Sequence, residues 1–141
     1  MAAISLDNAI EQARLRLGLG SMIPAQAWRV QRIDYPDKTY CLIVFGDGHS
    51  AKHVATVDGE SGEVTMSAEI EGTEPQLSVD ADQALKKAGL KKGQAELVWR
   101  PCRISLSPLQ PFWQVRSETQ TVYVDQQGVV WKSLEPAGPG G

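Results

Sequence analysis

The sequence predicts an α+β fold of two repeated units, each an N-terminal helix packed on an antiparallel sheet of three to four strands. Three observations predict it. Trp28-Arg29-Val30-Gln31-Arg32-Ile33 returns as Trp99-Arg100-Pro101-Cys102-Arg103-Ile104. The flanking segments keep the same order, because Ile4-Ser5-Leu6-Asp7 and Ala9 to Ala13 match Leu77-Ser78-Val79-Asp80 and Ala84 to Ala88. Downstream, Val57-Asp58 with Gly62-Glu63-Val64 matches Val124-Asp125 with Gly128-Val129-Val130. A period of about 70 residues is longer than the roughly 20 to 50 of solenoid repeats, so the repeated object is a whole α+β unit. The expected bounds are residues 1–72 and 76–135, with 136–141 as a disordered tail.

The elements follow from period and punctuation. Ser5 or Asp7 can cap a helix to about Leu17, since Leu6, Ile10, Ala13 and Leu17 keep the spacing of one buried stripe, and Gly18 and Gly20 stop it. From Trp28 to Ile33 the period changes to two, and Asp34-Tyr35-Pro36-Asp37 closes that strand. Tyr40 to Phe45 is apolar throughout and reads as a central strand covered on both faces. Gly46-Asp47-Gly48 turns the chain into a strand over Lys52 to Val57, and the turn 58–62 leads to another over Glu63 to Glu69. A linker over Glu71 to Pro75 precedes the second half. There Ser78 or Asp80 caps a helix over Ala81 to Gly89, followed by strands near Glu96 to Leu106, Phe112 to Glu118, Thr121 to Val124 and Val129 to Leu134. Pro101 removes a ladder donor, so its strand is expected at an edge or with a bulge.

Composition excludes some functions and leaves others open. The chain has 141 residues, enough for one domain, and a net charge of −3 without any long basic run, which speaks against nucleic acid as a partner. The charge is uneven: residues 58–74 hold six acids and no base, whereas 86–103 hold six bases and one acid. Most simply these are solvated faces and linker. There is no apolar run long enough to span a bilayer, so no membrane insertion is expected. The first residues lead directly into a helix signal, which reads as cytoplasmic unless a leader has been removed. Cys41 and Cys102 fall at non-equivalent positions of the two halves and read as buried, reduced thiols.

No constellation for catalysis, metal or cofactor binding is legible. His49 and His53 would share a metal on a helix, but on a strand four residues span roughly 13 Å, too far for one ion. Asp58-Gly59-Glu60-Ser61-Gly62-Glu63 lacks the ligand spacing of a calcium loop and reads as a tight turn, with Asp bonding its own backbone and Gly supplying positive φ. Gly18-Leu19-Gly20 ends a helix, whereas a dinucleotide loop begins one, and no Gly-x-Ser-x-Gly elbow is present. The expectation is therefore a chain that is not an enzyme, with no cofactor. Trp28 and Trp99 open equivalent strands and read as packing residues. Phe112, Trp113, Tyr123 and Trp131 make the second half aromatic-rich, and they are the candidate anchors of a protein or peptide interface.

These residues resemble a family. The helix over Ala9 to Ala13 and the closing hairpin Val57-Asp58-Gly59-Glu60-Ser61-Gly62-Glu63-Val64 look like a PepSY domain. The second half is similar in Leu77 to Leu85 and in Tyr123-Val124-Asp125 with Gly128-Val129-Val130, but lacks the Ser-Gly-Glu of the hairpin. The resemblance implies a non-catalytic binding module that inhibits or regulates a peptidase. The tandem plan is also similar to that of β-lactamase inhibitory proteins. Two other readings stand beside it: a small-ligand-binding or enzymatic domain with a pocket between helix and sheet, and a structural subunit that self-associates, for example as a homodimer.

Overall fold

The computed structural model describes residues 4–46, 51–70, 79–90, 93–102, 109 and 111–134. In chain order the elements are α1 (Leu6–Leu17), β1 (Ala25–Arg32), β2 (Thr39–Gly46), β3 (Ala51–Asp58), β4 (Val64–Glu69), α2 (Ala81–Lys87), β5 (Gln94–Trp99), β6 (Phe112–Arg116), β7 (Thr121–Val124) and β8 (Val130–Trp131). The strands form one eight-stranded sheet in the order β4-β3-β2-β1-β5-β6-β7-β8. This corrects the expected fold class and, with it, the tandem α+β repeat. In place of two repeated helix-on-sheet units, the described residues form two helices and one large sheet, and they are predominantly β. The physical reason is that side-chain patterning specifies which segments become strands, whereas the pairing of strand edges is settled by backbone N–H and C=O groups common to every residue.

By packing, the chain divides into two compact units, the first from Met1–Gln31 with Pro36–Gln76, the second from Arg32–Tyr35 with Leu77–Gly141. In the first unit, Ser5 caps α1 by accepting a hydrogen bond at Oγ from the Asn8 amide (3.1 Å). Gly18, at φ 67°, ends the helix, and its N–H donates to the Arg14 carbonyl. The helix buries Ala9 and Ala13 against Cys41, Ile43 and Phe45 of β2 and Ala55 and Val57 of β3. Leu6, Ile10 and Leu17 flank that contact, only partly buried. Two alanines at the centre let the helix backbone approach the sheet closely. The larger apolar residues close the sides.

Strand β2 is buried along almost its whole length, with Tyr40, Leu42 and Val44 on the face opposite Cys41, Ile43 and Phe45. That agrees with its uninterrupted apolar sequence. The chain ahead of α1 is pinned to the same sheet, because Ile4 donates from its amide to the Gly59 carbonyl (2.9 Å) and accepts at its own carbonyl from Arg29 Nη2 (2.6 Å). Gly59 in turn donates to the Thr39 carbonyl (3.0 Å). A Cβ at position 59 would lie 2.7 Å from that oxygen, so the turn requires glycine there.

In the second unit, Asp80 caps α2 in a reciprocal box: its carboxylate accepts from the Gln83 amide (2.8 Å) and its own amide donates to Gln83 Oε1 (2.9 Å). The start of α2 is tied to the sheet by Trp113, whose indole Nε1 donates to the Val79 carbonyl (2.6 Å). Gln126 holds the same point from the other side, accepting from the Val79 amide (3.2 Å) and donating to the Pro111 carbonyl (3.2 Å). Arg32 closes this unit elsewhere. Its guanidinium pairs with both carboxylate oxygens of Asp34 (2.5 and 3.0 Å) and lies 5.0 Å and 5.1 Å from the ring centroids of Tyr35 and Trp99. Burial pushes the Asp34 carboxyl up, but the Arg32 hydrogen bond and charge outweigh it and hold it below its ordinary value.

The last strands are shorter than the sequence predicts. Strand β5 ends at Trp99, so Pro101 stands outside the ladder, and β8 covers Val130–Trp131 alone. Residues 103–108, the linker over 71–75 and the tail over 136–141 lie outside the described residues. The alanine contact under α1 gives a direct test. Ala13→Leu adds three carbons at a fully buried contact, and should cost about 1–3 kcal/mol in urea unfolding with an unchanged far-ultraviolet spectrum. A variant of wild-type stability would refute the close approach.

Candidate functional site

The candidate site is built by β6, β7, β8 and the turn 125–129. The antiparallel register places Trp113 opposite Val124, Gln114 opposite Tyr123, and Tyr123 opposite Trp131. Because side chains alternate across a strand, Trp113, Val115, Val122 and Val124 share the face that carries α2, whereas Gln114, Tyr123 and Trp131 form a row on the opposite face. The Tyr123 hydroxyl accepts from Gln114 Nε2 at 3.3 Å within that row.

The four predicted anchors therefore separate. Phe112 and Trp113 are core residues, 1% and 8% exposed. Tyr123 is half-buried and Trp131 is 39% exposed. The structure brings Tyr123 and Trp131 together and leaves Trp113 on the other face. Beside Trp131, the valines Val129 and Val130 are 45% and 40% exposed. These two were not singled out by sequence reasoning. The signal was present in their β-branched pair directly before a tryptophan, but the same pattern also describes an ordinary buried strand.

Asp125, the counterpart of Asp58 in the sequence match, does more than form a turn. It is 8% exposed, and Oδ1 accepts from the amides of Gln127 and Val129 (2.9 Å each) while Oδ2 accepts from Trp131 Nε1 (2.9 Å). Its own amide donates to the Val129 carbonyl (3.0 Å), its carbonyl accepts from Gly128 (3.1 Å), and Gly128 adopts φ 84°. One carboxylate thus closes the turn and fixes the indole that the next strand presents. Nothing in the spacing of Asp125 and Trp131 announces this, since six residues separate them across a bend.

The matching turn in the first unit has the expected Asp and Gly geometry. Asp58 Oδ1 accepts from Ser61 (2.8 Å) and Glu60 (2.9 Å), and Gly62 adopts φ 77°. The Ser61 and Glu60 amides stabilise the ionised form and hold the Asp58 carboxyl below its ordinary value, against a smaller upward push from burial. Calcium chemistry is not needed to account for this turn.

The remaining candidates for chemistry are dispersed. His53 lies on β3, opposite Phe45 and Glu69, and His49 lies outside the described residues. Among the described residues no group of three or more His, Cys, Asp or Glu could hold a metal ion. Cys41 and Cys102 are buried, and burial pushes the Cys41 thiol up. Two hollows, one lined by Leu90, Gln94, Arg116 and Thr119, the other by Gln12, Arg16, Ser61 and Glu63, are open to solvent and hold no convergent set of reactive groups. Among the described residues, no helix is long and apolar enough to cross a membrane.

No family model matches the chain, and no curated protein matches it by sequence. The PepSY resemblance thus has only the short helix and hairpin patterns behind it. Among solved structures, the chain is similar to that of a putative lipoprotein from Clostridium difficile 630, with 12% identity, 88% of each chain covered and a TM-score of 0.34. That likeness is too slight to bear on fold or function.

Two outcomes test the carboxylate geometry. Asp125→Ala leaves three donors without their acceptor and should cost about 1–3 kcal/mol in urea unfolding. Loss below that range would mean that water replaces the carboxylate. Asp58 has a folded-state pKa below its unfolded value, so its contribution is present above about pH 4 and is lost as pH falls through the folded value. The stability gap between wild type and Asp58→Asn should therefore narrow below about pH 4. A gap independent of pH would show that the charge of Asp58 contributes nothing.

Proposed function

We propose that this chain is a non-catalytic module that binds an extended protein or peptide segment along strand β8, with Trp131 as the anchor. The observation that carries this reading is the exposure of Val130 and Trp131 on β8, the last strand of the sheet order, and of Val129 just before it. An edge strand offers backbone N–H and C=O groups to an added strand, and its exposed side chains supply selectivity. Trp131 suits the role of anchor because Asp125 already holds its indole, which lowers the entropy lost when a partner covers it. Tyr123, opposite it on β7, extends the same aromatic surface.

The test is selection from a displayed library of unstructured peptides against the immobilised full chain. Selected ligands should lose about tenfold or more in affinity for Trp131→Ala, a variant whose circular dichroism should match wild type. Ligands that bind both proteins equally would remove Trp131 as the anchor and β8 as the docking strand.

A further inference from the structure

We infer that β4, at the other end of the sheet order, is a second docking strand that takes a basic extended peptide, with one apolar side chain entering a hollow beside α1. This goes beyond the β8 reading and stands apart from it, since α1, β4 and the turn 58–62 all belong to the first unit. Strand β4 spans six residues and pairs with β3, and among the described residues no strand pairs with its other side. Thr65, Met66, Ser67 and Glu69 are exposed. The strand holds no proline or lysine, residues that commonly block such an edge. A register shift between Thr56 and Val57 bends one end, and beyond it Met66 to Glu69 keep a regular ladder with Thr56 to His53.

The hollow lies between α1 and the start of β4. Gln12, Leu15 and Arg16 line it from the helix, and Ser61, Glu63 and Val64 from the turn and strand. Leu15 is 76% exposed, and Val64 packs on the α1 face of the sheet beside Val57. A strand added at the usual spacing of about 4.8 Å sets one residue next to Val64 on that face, where an apolar side chain covers Leu15 and Val64. Charge then selects the occupant. Residues 58–74 hold six acids and no base. Glu60, Glu63 and Glu69 are exposed, the last two at the two ends of β4, and none of the three forms an ion pair among the described residues. Of the neighbouring bases, Arg16 lines the hollow, His53 lies opposite Glu69, Lys52 falls on the alternate face of β3, and Lys38 acts on Asp58. A second copy paired antiparallel in full register would set each Glu69 opposite Val64 and beside the other copy's Glu63, acid next to acid at both ends. A basic segment meets attraction there instead.

The probe is a fluorescein-labelled peptide, Lys-Thr-Val-Leu-Val-Thr-Lys, compared by anisotropy with its Glu-Thr-Val-Leu-Val-Thr-Glu counterpart on the full chain. Wild type should bind the basic peptide about fivefold more tightly, and a Glu63→Gln, Glu69→Gln double variant should lose that preference. Leu15→Ala, a change at an exposed position, should weaken the basic peptide about fivefold. Methylating alternate amide nitrogens of the peptide should abolish binding in one of the two frames, because a strand joins an edge through every second residue. Trp131→Ala should leave the basic peptide unaffected. No saturable binding of the basic peptide, equal binding of the two peptides, or full binding in both methylated frames would overturn the proposal. Basic-peptide binding that Trp131→Ala abolishes and Leu15→Ala spares would move the ligand to β8, overturning the role of β4 while leaving the β8 reading in place. Sedimentation equilibrium showing a dimer that Leu15→Ala dissociates would give the β4 edge to a second copy, and would also overturn the basic ligand.

Discussion

The carboxylate of Asp125 is the interaction on which the closing turn and last strand of the second unit depend. A carboxylate at 8% exposure is costly unless its lone pairs are satisfied, and here two amides and an indole satisfy them. The same three bonds impose the turn, start β8 in register with β7 and orient Trp131. Turn formation and orientation of the Trp131 indole are thus one event. Asparagine at position 125 could still accept the two amides at Oδ1, but its Nδ2 could not accept the indole.

A comparable economy governs the two helices. Under α1 the contact is made by Ala9 and Ala13, which contribute little apolar area themselves but let the sheet residues Ile43, Phe45 and Val57 meet the helix backbone directly. Around α2, seven residues long, helix propensity is a minor contributor. Its position is fixed by the Asp80–Gln83 box and by the Trp113 and Gln126 bonds to Val79. Trp113 therefore has a polar duty in the core, which explains why one of the most aromatic positions of the second half is withdrawn from the surface. Trp131, with the same indole donor, spends it on Asp125 and keeps its ring accessible.

Much of the local structure was legible in the sequence. The caps were readable to within two candidates each, Ser5 or Asp7 and Ser78 or Asp80, and the stop at Gly18, the wholly apolar β2 and the Asp-Gly turns at 58–62 and 125–128 were readable outright, because each depends on residues within about one turn of one another. The site was legible only as a group of aromatics. Phe112, Trp113, Tyr123 and Trp131 could be named, but their division between core and surface required the register of β6, β7 and β8. Alternation on a strand assigns residues to two faces and does not say which face carries the helix.

The sequence by itself determined where the chain turns, which segments are helix or strand, and which functions its charge and missing motifs disfavour, since these follow from steric and hydrogen-bonding preferences of neighbouring residues. Tertiary structure alone decided that the strands form one sheet in place of two, that β8 is two residues long, and that a carboxylate six residues away holds Trp131. Those outcomes depend on backbone groups and on contacts between residues distant in sequence, for which no local pattern encodes a preference.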